Sequence, residues 1–218
     1  MDKFALPAFL IDDGSDDISQ EVLAEAEKKF LWLTVHHIPK NLGKGGAVRR
    51  GLELAFLNGF THAVQMDSDG QHCVQDLPKF VEAIGGNPDA LVLGVPVFDS
   101  EIPKSRLYGR LISRAFVWLE TLSFSIKDPL CGFRGYPLGP CLQLMQKVRL
   151  GQGMDFDPEI VVRLFWRGVP IRSVNTPVAY FKDGVSHFKL LIDNWRISWM
   201  HARLVTGMFL RLPFLLNR

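Results

Sequence analysis

Two apolar runs in this chain each stop at carboxylates and a turn. Phe9-Leu10-Ile11 runs into Asp12-Asp13-Gly14-Ser15, and Thr61-His62-Ala63-Val64-Gln65-Met66 runs into Asp67-Ser68-Asp69-Gly70-Gln71-His72. In an extended chain residues i and i+2 project to one face, so Asp67 and Asp69 aim at one spot where the strand ends. Two carboxylates that close repel unless a cation lies between them. Hard cations such as Mg²⁺ or Mn²⁺ take oxygen ligands and share them with substrate phosphates. A strand-end Asp-x-Asp therefore suggests a metal that neutralises a diphosphate as it leaves. The competing reading is a solvated turn, because Asp, Ser and Gly are common turn residues.

The order of elements supports the first reading. Strand-like runs at Ala8–Ile11, Leu33–His37, Thr61–Met66 and Leu91–Val97 alternate with helix-like runs at Ile18–Phe30, Gly46–Leu57 and Val74–Ile84. That alternation predicts right-handed βαβ units and a mostly parallel sheet. Ligands bind such sheets beyond the carboxyl ends of the strands, where Asp12, Asp13, Asp67 and Asp69 all fall. Past Val97 the alternation breaks. A helix is expected over Ser105–Ser125, another over Gly153–Arg167, and short strands at Val169–Val174 and Val178–Phe181.

Two further segments complete a pattern: Asn41-Leu42-Gly43-Lys44-Gly45-Gly46-Ala47, and Asp128-Pro129-Leu130-Cys131-Gly132-Phe133-Arg134-Gly135-Tyr136. With Asp-Asp-Gly-Ser and Asp-x-Asp-Gly-Gln-His in this order, the chain resembles the family 2 glycosyltransferases of the GT-A fold, over about Pro7 to Tyr180. Within that family it resembles the dolichol-phosphate or polyprenyl-phosphate sugar synthases and related bacterial enzymes. The resemblance implies an α/β, Rossmann-like sheet flanked by helices. It implies an inverting, metal-dependent transfer of a hexose from a nucleoside diphosphate sugar to a lipid-linked or other membrane acceptor, with Mg²⁺ or Mn²⁺ as cofactor and no nucleic-acid partner. The family normally begins with a further strand and helix ahead of the Asp-Asp-Gly-Ser strand. Their apparent absence leaves an alternative reading, a nucleotide-sugar-binding relative without catalysis.

By the same resemblance, Asp13 would contact the nucleotide and Lys44 its base or phosphates, while Asp67, Asp69 and Gln71 would hold the metal. His72 is either a ligand or a structural hydrogen-bonder. The glycines around Lys44 do not have the spacing of a phosphate loop, which excludes a P-loop nucleotidase. Asp128 either holds the turn before Pro129 or takes a proton from the acceptor. A lipid phosphate is already ionised at neutral pH, so arginines that grip it would matter more than a base. Arg106, Arg110 and Arg134 are the candidates, with Arg110 and Arg114 alternatively a solvated helix face. Asp155 and Glu159 either line the acceptor side or only complement a helix dipole.

The chain of 218 residues is long enough for one good core, and its net charge of +2 is unevenly placed. Residues 185–218 carry five Lys/Arg and one Asp, leaving the preceding 184 residues at −2. We therefore divide the chain into a glycosyltransferase domain over 1–184 and a basic amphipathic C-terminal helix over 185–218. In Phe188–Leu212, Lys189, Asp193, Arg196, Arg203 and Arg211 fall on one stripe, opposite Trp195, Trp199 and Leu191. That pattern fits a helix lying on an anionic membrane surface, and a core-packed helix with a solvated face would look similar. Cys73, Cys131 and Cys141 form no paired motif, which suits a reducing cytosol. With neither a signal peptide nor a run of about 18 apolar residues, the expected place is the cytoplasmic face of a membrane.

Overall fold

The computed structural model describes Phe4 and residues 6–98, 104–179 and 189–217, with the side chains of residues 104–106 outside that description. Strand β1 (Ala8–Asp12) leads through α1 (Asp17–Lys29) to β2 (Leu33–His37), which pairs with β1 in parallel. Helix α1 starts where Asp16 accepts from the Ser19 amide, and Lys28 and Lys29 stand in its last turn, where cations suit the dipole. Helix α2 (Lys44–Leu57) then leads to β3 (His62–Gln65). Next come a single 3₁₀ turn (Val74–Asp76), α3 (Leu77–Gly86) and β4 (Leu91–Phe98). The expected helix from Val74 to Ile84 divides at Pro78, whose ring favours the first turn of a new helix.

After β4 come α4 (Lys104–Thr121), β5 (Arg134–Pro137), α5 (Leu138–Lys147), α6 (Phe156–Trp166), β6 (Ile171–Val178), α7 (Leu190–Phe209) and α8 (Leu212–Leu216). A second sheet has the order β3-β5-β4-β6, in which β5 is antiparallel to both neighbours and β6 is parallel to β4. The two expected strands around residues 169–181 are one strand, paired with β4 from Leu91↔Ile171 to Phe98↔Val178. Pro177 is tolerated there because β6 closes the sheet and one of its edges needs no donor. Residues 180 and 181 lie outside the described residues.

The main core lies between α6, the β4/β5 strands and α7. It contains Leu91, Leu93, Tyr136, Phe156, Ile160, Leu164, Met200 and Leu204. A second cluster sits under α3, where Phe80 stacks on Phe133 at 3.9 Å. Gly45 and Gly46 let α2 approach its neighbours closely, since a Cβ on Gly45 would occupy the place of the Phe156 side chain.

Candidate functional site

The carboxyl ends of β1 and β3 meet at the start of α2. Both oxygens of Asp13 are taken by loop amides, from Leu42 at 2.7 Å and Gly43 at 2.8 Å. Gly43 sits at φ 84°, a left-handed conformation suited to glycine, and any Cβ there would collide with the Gln152 carbonyl. Asp13 thus fixes the loop that aims Lys44. Behind it Asp12 is buried, accepting from the Ser15 amide and from His37 Nδ1 at 2.8 Å. Burial pushes the Asp12 carboxyl up, but these hydrogen bonds outweigh it and hold the group below the usual range.

Lys44 is the centre of the charge network. Its Nζ lies 2.7 Å from Asp67 and 2.6 Å from Asp157, at the first turn of α6. Burial opposes the charge on Lys44, but Asp157 and then Asp67 more than offset it, so its pKa is raised. Asp67 is held well below the carboxylate range, because His72, Lys44 and Gln65 together outweigh desolvation. Gly132 closes over Asp67, whose carboxylate fills the space a Cβ on Gly132 would need. Asp157 is the site residue that sequence reasoning passed over. Its place in Met154-Asp155-Phe156-Asp157-Pro158-Glu159 reads as helix-dipole complement, and only the fold brings α6 against Lys44.

The donors here suit a hard divalent cation. Asp67 faces His72, whose Nε2 is 4.0 Å from its carboxylate and whose buried Nδ1 has no partner, and Asp69 is exposed on the same loop. Asp69 accepts the Gln71 amide at 3.0 Å, and Gln71 lines the cavity. Among the described residues no three acidic, His or Cys groups already converge as a ligand cage. The Lys44 ammonium presently serves as counter-charge to Asp67 and Asp157. Asp67 and Asp69 would hold a metal, with His72 and Gln71 adjacent and the remaining ligands supplied by substrate oxygens.

A continuous cavity of about 3050 Å³ runs from these strand ends to α4 and α7. Asp12, Asp13, Lys44, Asp67, Asp69 and Gln71 line one end, while Arg110, Lys189, Arg196 and His201 line the other. The expected crevice at the strand ends is therefore present and contains all four carboxylates.

Several expected site residues are used elsewhere. Arg134, expected to grip phosphate, is wholly buried and donates to the carbonyls of Cys131, Pro129 and Asp157. Its guanidinium ties the motif loop to α6. Glu159 does not face the acceptor side, because it accepts from the Gly151 amide and from Arg163 in the core. Asp155 is likewise buried, taking the Gly153 amide at 3.1 Å. Asp128 accepts from Arg110 through both oxygens, at 2.8 and 2.7 Å, and from the Leu130 amide at 2.9 Å. The last bond is that of a turn-holder, so Asp128 is a buried carboxylate that braces Arg110. Arg114 lies over the Trp118 ring at 4.9 Å. The Arg106 side chain lies outside the described residues.

The tail is helical, and its polar stripe borders the packed face: Lys189, Arg196 and Arg211 stay exposed, whereas the acid between them is not. Asp193 is buried, Arg203 approaches Glu159 at 3.5 Å, and Arg211 stacks on Trp166 at 4.5 Å. His201 Nδ1 donates to the buried Glu120 at 2.7 Å. The apolar side is open as well: Leu191 is 88 % exposed, Trp195 72 % and Trp199 58 %. Leu204 and Met208 drive this orientation by filling the main core. Phe188 lies outside the described residues. No helix among the described residues is long and apolar enough to cross a membrane.

Comparison with known proteins places these features in a family. Residues 8–142 match the model of glycosyl transferase family 2. The chain is 30 % identical over 178 residues to dolichol-phosphate mannosyltransferase of Pyrococcus furiosus, covering 78 % of this chain and 47 % of the relative, so it spans about half that protein's length. It is 23 % identical over 188 residues to UDP-N-acetylglucosamine–dolichyl-phosphate N-acetylglucosaminyltransferase of Methanococcus voltae, covering 77 % and 74 %. In fold it is similar to glucosyl-3-phosphoglycerate synthase of Mycobacterium tuberculosis, solved with Mn²⁺ and UDP-glucose, at TM-score 0.61, 18 % identity and coverage of 93 % and 67 %. The chain belongs to glycosyl transferase family 2 and is a glycosyltransferase of the GT-A fold.

Proposed function

We propose that this protein transfers a hexose from a nucleoside diphosphate sugar to a lipid-linked phosphate acceptor, with inversion at the anomeric carbon. The observation that carries the reading is one cavity joining the Asp67–Lys44 cluster to the basic and apolar walls of α4 and α7. Similarity to dolichyl-phosphate sugar transferases supports the acceptor class, and the related structure with Mn²⁺ and UDP-glucose supports a divalent cation and a nucleotide-sugar donor.

In this reading Asp67 and Asp69 would hold the divalent cation, which would supply positive charge for a departing diphosphate. Lys44, freed from Asp67, turns its ammonium toward the same oxygens, and Asp13 holds the loop that permits it. Arg110, braced by Asp128, with Lys189 and Arg196, draws the acceptor phosphate toward the sugar. The exposed Leu191, Trp195 and Trp199 rest in the membrane interface and bring the cavity mouth to the lipid.

The test is release of free nucleoside diphosphate from UDP- or GDP-sugars with Mn²⁺ or Mg²⁺ and a polyprenyl phosphate. Turnover that needs both the metal and the lipid phosphate is expected. Undiminished turnover by the Asp67→Ala, Asp69→Ala double variant sinks the metal assignment.

A further inference from the structure

Glu120 is a junction of three helices. Its carboxylate lies 2.7 Å from His201 Nδ1 and joins α4 to α7, while its backbone carbonyl accepts from Trp166 Nε1 of α6 at 2.9 Å. Both members of the pair are buried, and the Phe116 ring stacks on His201 at 4.8 Å. Around them α4 and α7 contribute the apolar Val117, Met200 and Leu204 to the main core.

A polar pair in such a place is held at a cost. The second carboxylate oxygen of Glu120 and Nε2 of His201 are buried with no partner among the described residues. The nearby cations are committed to Glu159, from Arg163 at 2.8 Å and from Arg203 at 3.5 Å. Burial pushes the Glu120 carboxyl up, and Glu159 adds to the rise against the His201 bond. Well-packed apolar side chains would stabilise this contact as well or better, so what the pair can add is one fixed arrangement. Apolar ridges of two helices can slip past each other by a turn, about 5.4 Å. A hydrogen bond of 2.7 Å does not survive such a slip.

The register matters because of what the two helices carry. Arg110 lies on α4 about 15 Å along the axis from Glu120, and Arg196 lies on α7 about 7 Å from His201. Both arginines line the same cavity, as do Phe116 and His201. We propose that Glu120 and His201 are positioning residues that fix the register of α4 against α7, and with it the spacing of Arg110 and Arg196 across the acceptor end of the cavity. This deepens the transfer to a lipid phosphate proposed above and rests on it. One phosphate can meet both guanidinium groups only at one spacing, and a slip of a turn moves Arg110 further than a hydrogen bond reaches.

Replacing the pair by Glu120→Leu with His201→Leu in the full chain tests this. The melting temperature should not fall below that of wild type. The KM for polyprenyl phosphate should rise about tenfold or more, while the KM for the nucleotide sugar stays unchanged. Spin labels at the exposed Leu111→Cys and Leu191→Cys, on a Cys73→Ser background, should show one distance in the parent and a spread of about 5 Å in the double variant.

His201→Asn and His201→Gln keep the test decisive if the double variant fails to fold. The Asn amide stands where Nδ1 does and keeps the bond to Glu120, whereas the Gln amide stands where Nε2 does and loses it. Asn should retain the wild-type KM for the lipid phosphate and Gln should raise it, and equal values in both overturn the proposal. A double variant with wild-type KM and label distance also overturns it, as does a uniform fall in every kinetic constant, the mark of a merely structural pair. If the wild-type chain does not turn over polyprenyl phosphate, the proposed function falls and the label distance in the same variants decides. An unchanged distance then overturns the positioning role, and a spread one upholds it.

Discussion

Lys44 donates its ammonium to Asp67 across 2.7 Å, tying the first residue of α2 to the carboxylate just beyond β3. With Asp157 at 2.6 Å on its other side, one lysine holds two carboxylates together at the place where we propose a divalent cation binds. Removing that lysine leaves two facing acids without a counter-charge. For Lys44→Met we expect a loss of about 2–3 kcal/mol, below the range for fully buried pairs because both side chains keep partial exposure. Thermal unfolding in EDTA, then with Mn²⁺, checks it. Mn²⁺ should raise the variant's midpoint more than the wild type's, and equal shifts in both would mean that metal and lysine do not share Asp67.

The same pair sets a pH window. Asp67 is depressed from 3.8, so its stabilisation is complete above that value and is lost as pH falls through its lower folded value. Lys44 is raised from 10.5, so its contribution is complete below that value and is lost as pH rises beyond it. Stability should therefore hold between these limits and fall on both sides. Asp67→Asn should flatten the acid limb in urea titrations run from pH 5 down to pH 3. An acid limb unchanged in the variant would assign the loss to other carboxylates, Asp12 first.

Much of this was legible before the structure because strand ends announce themselves. An apolar run stopping at Asp-Asp-Gly or Asp-x-Asp-Gly locates both a strand and the carboxylates beyond it, and β2 matches its expected bounds, Leu33–His37. Strand β5 was invisible, since Arg-Gly-Tyr-Pro has neither alternation nor β-branched residues. It forms because Gly135 lets Val92 and Ile84 close against it and because Arg134 is satisfied by three carbonyls. Periodicity also gave the polar stripe of α7 without its orientation. A helix with charges on one side and Trp on the other has two possible inner faces, and the partners Glu159 and Trp166 that decide it come from a distant segment.

Gly132 offers a steric test of how Asp67 is held. A methyl group at that position would take the space of the Asp67 carboxylate, and the backbone of a buried loop cannot yield readily. Gly132→Ala should displace Asp67 and weaken Mn²⁺ binding, read by titration calorimetry, more than it lowers the melting temperature. Unchanged Mn²⁺ affinity would place the cation away from Asp67.

Arg134 should behave as a structural residue. Its three carbonyl acceptors and its 3.4 Å approach to Asp157 lie in a wholly buried pocket. Arg134→Gln strands these acceptors and should cost about 3 kcal/mol or more in urea unfolding. Any activity left should show an unaltered KM for the lipid phosphate. A stable variant with a raised KM would return Arg134 to the acceptor site.

The outward face of α7 gives the last prediction. Charge reversal on its basic stripe is a poor probe, since Arg203 approaches Glu159 and Arg211 covers Trp166. Such changes would damage the core contact as well as any membrane contact. Trp195 and Trp199 are 72 % and 58 % exposed and take part in no core cluster, so replacing both with Ser leaves packing intact. If this face lies in the interface, Trp195→Ser with Trp199→Ser should lower sedimentation with lipid vesicles about tenfold while the melting temperature stays within about 2 °C of wild type, as expected of surface substitutions. Transfer to a water-soluble short-chain polyprenyl phosphate should be retained, because the cavity walls at Arg110, Lys189 and Arg196 are untouched. Wild-type sedimentation by the double variant would show that the apolar face of α7 is not the membrane contact.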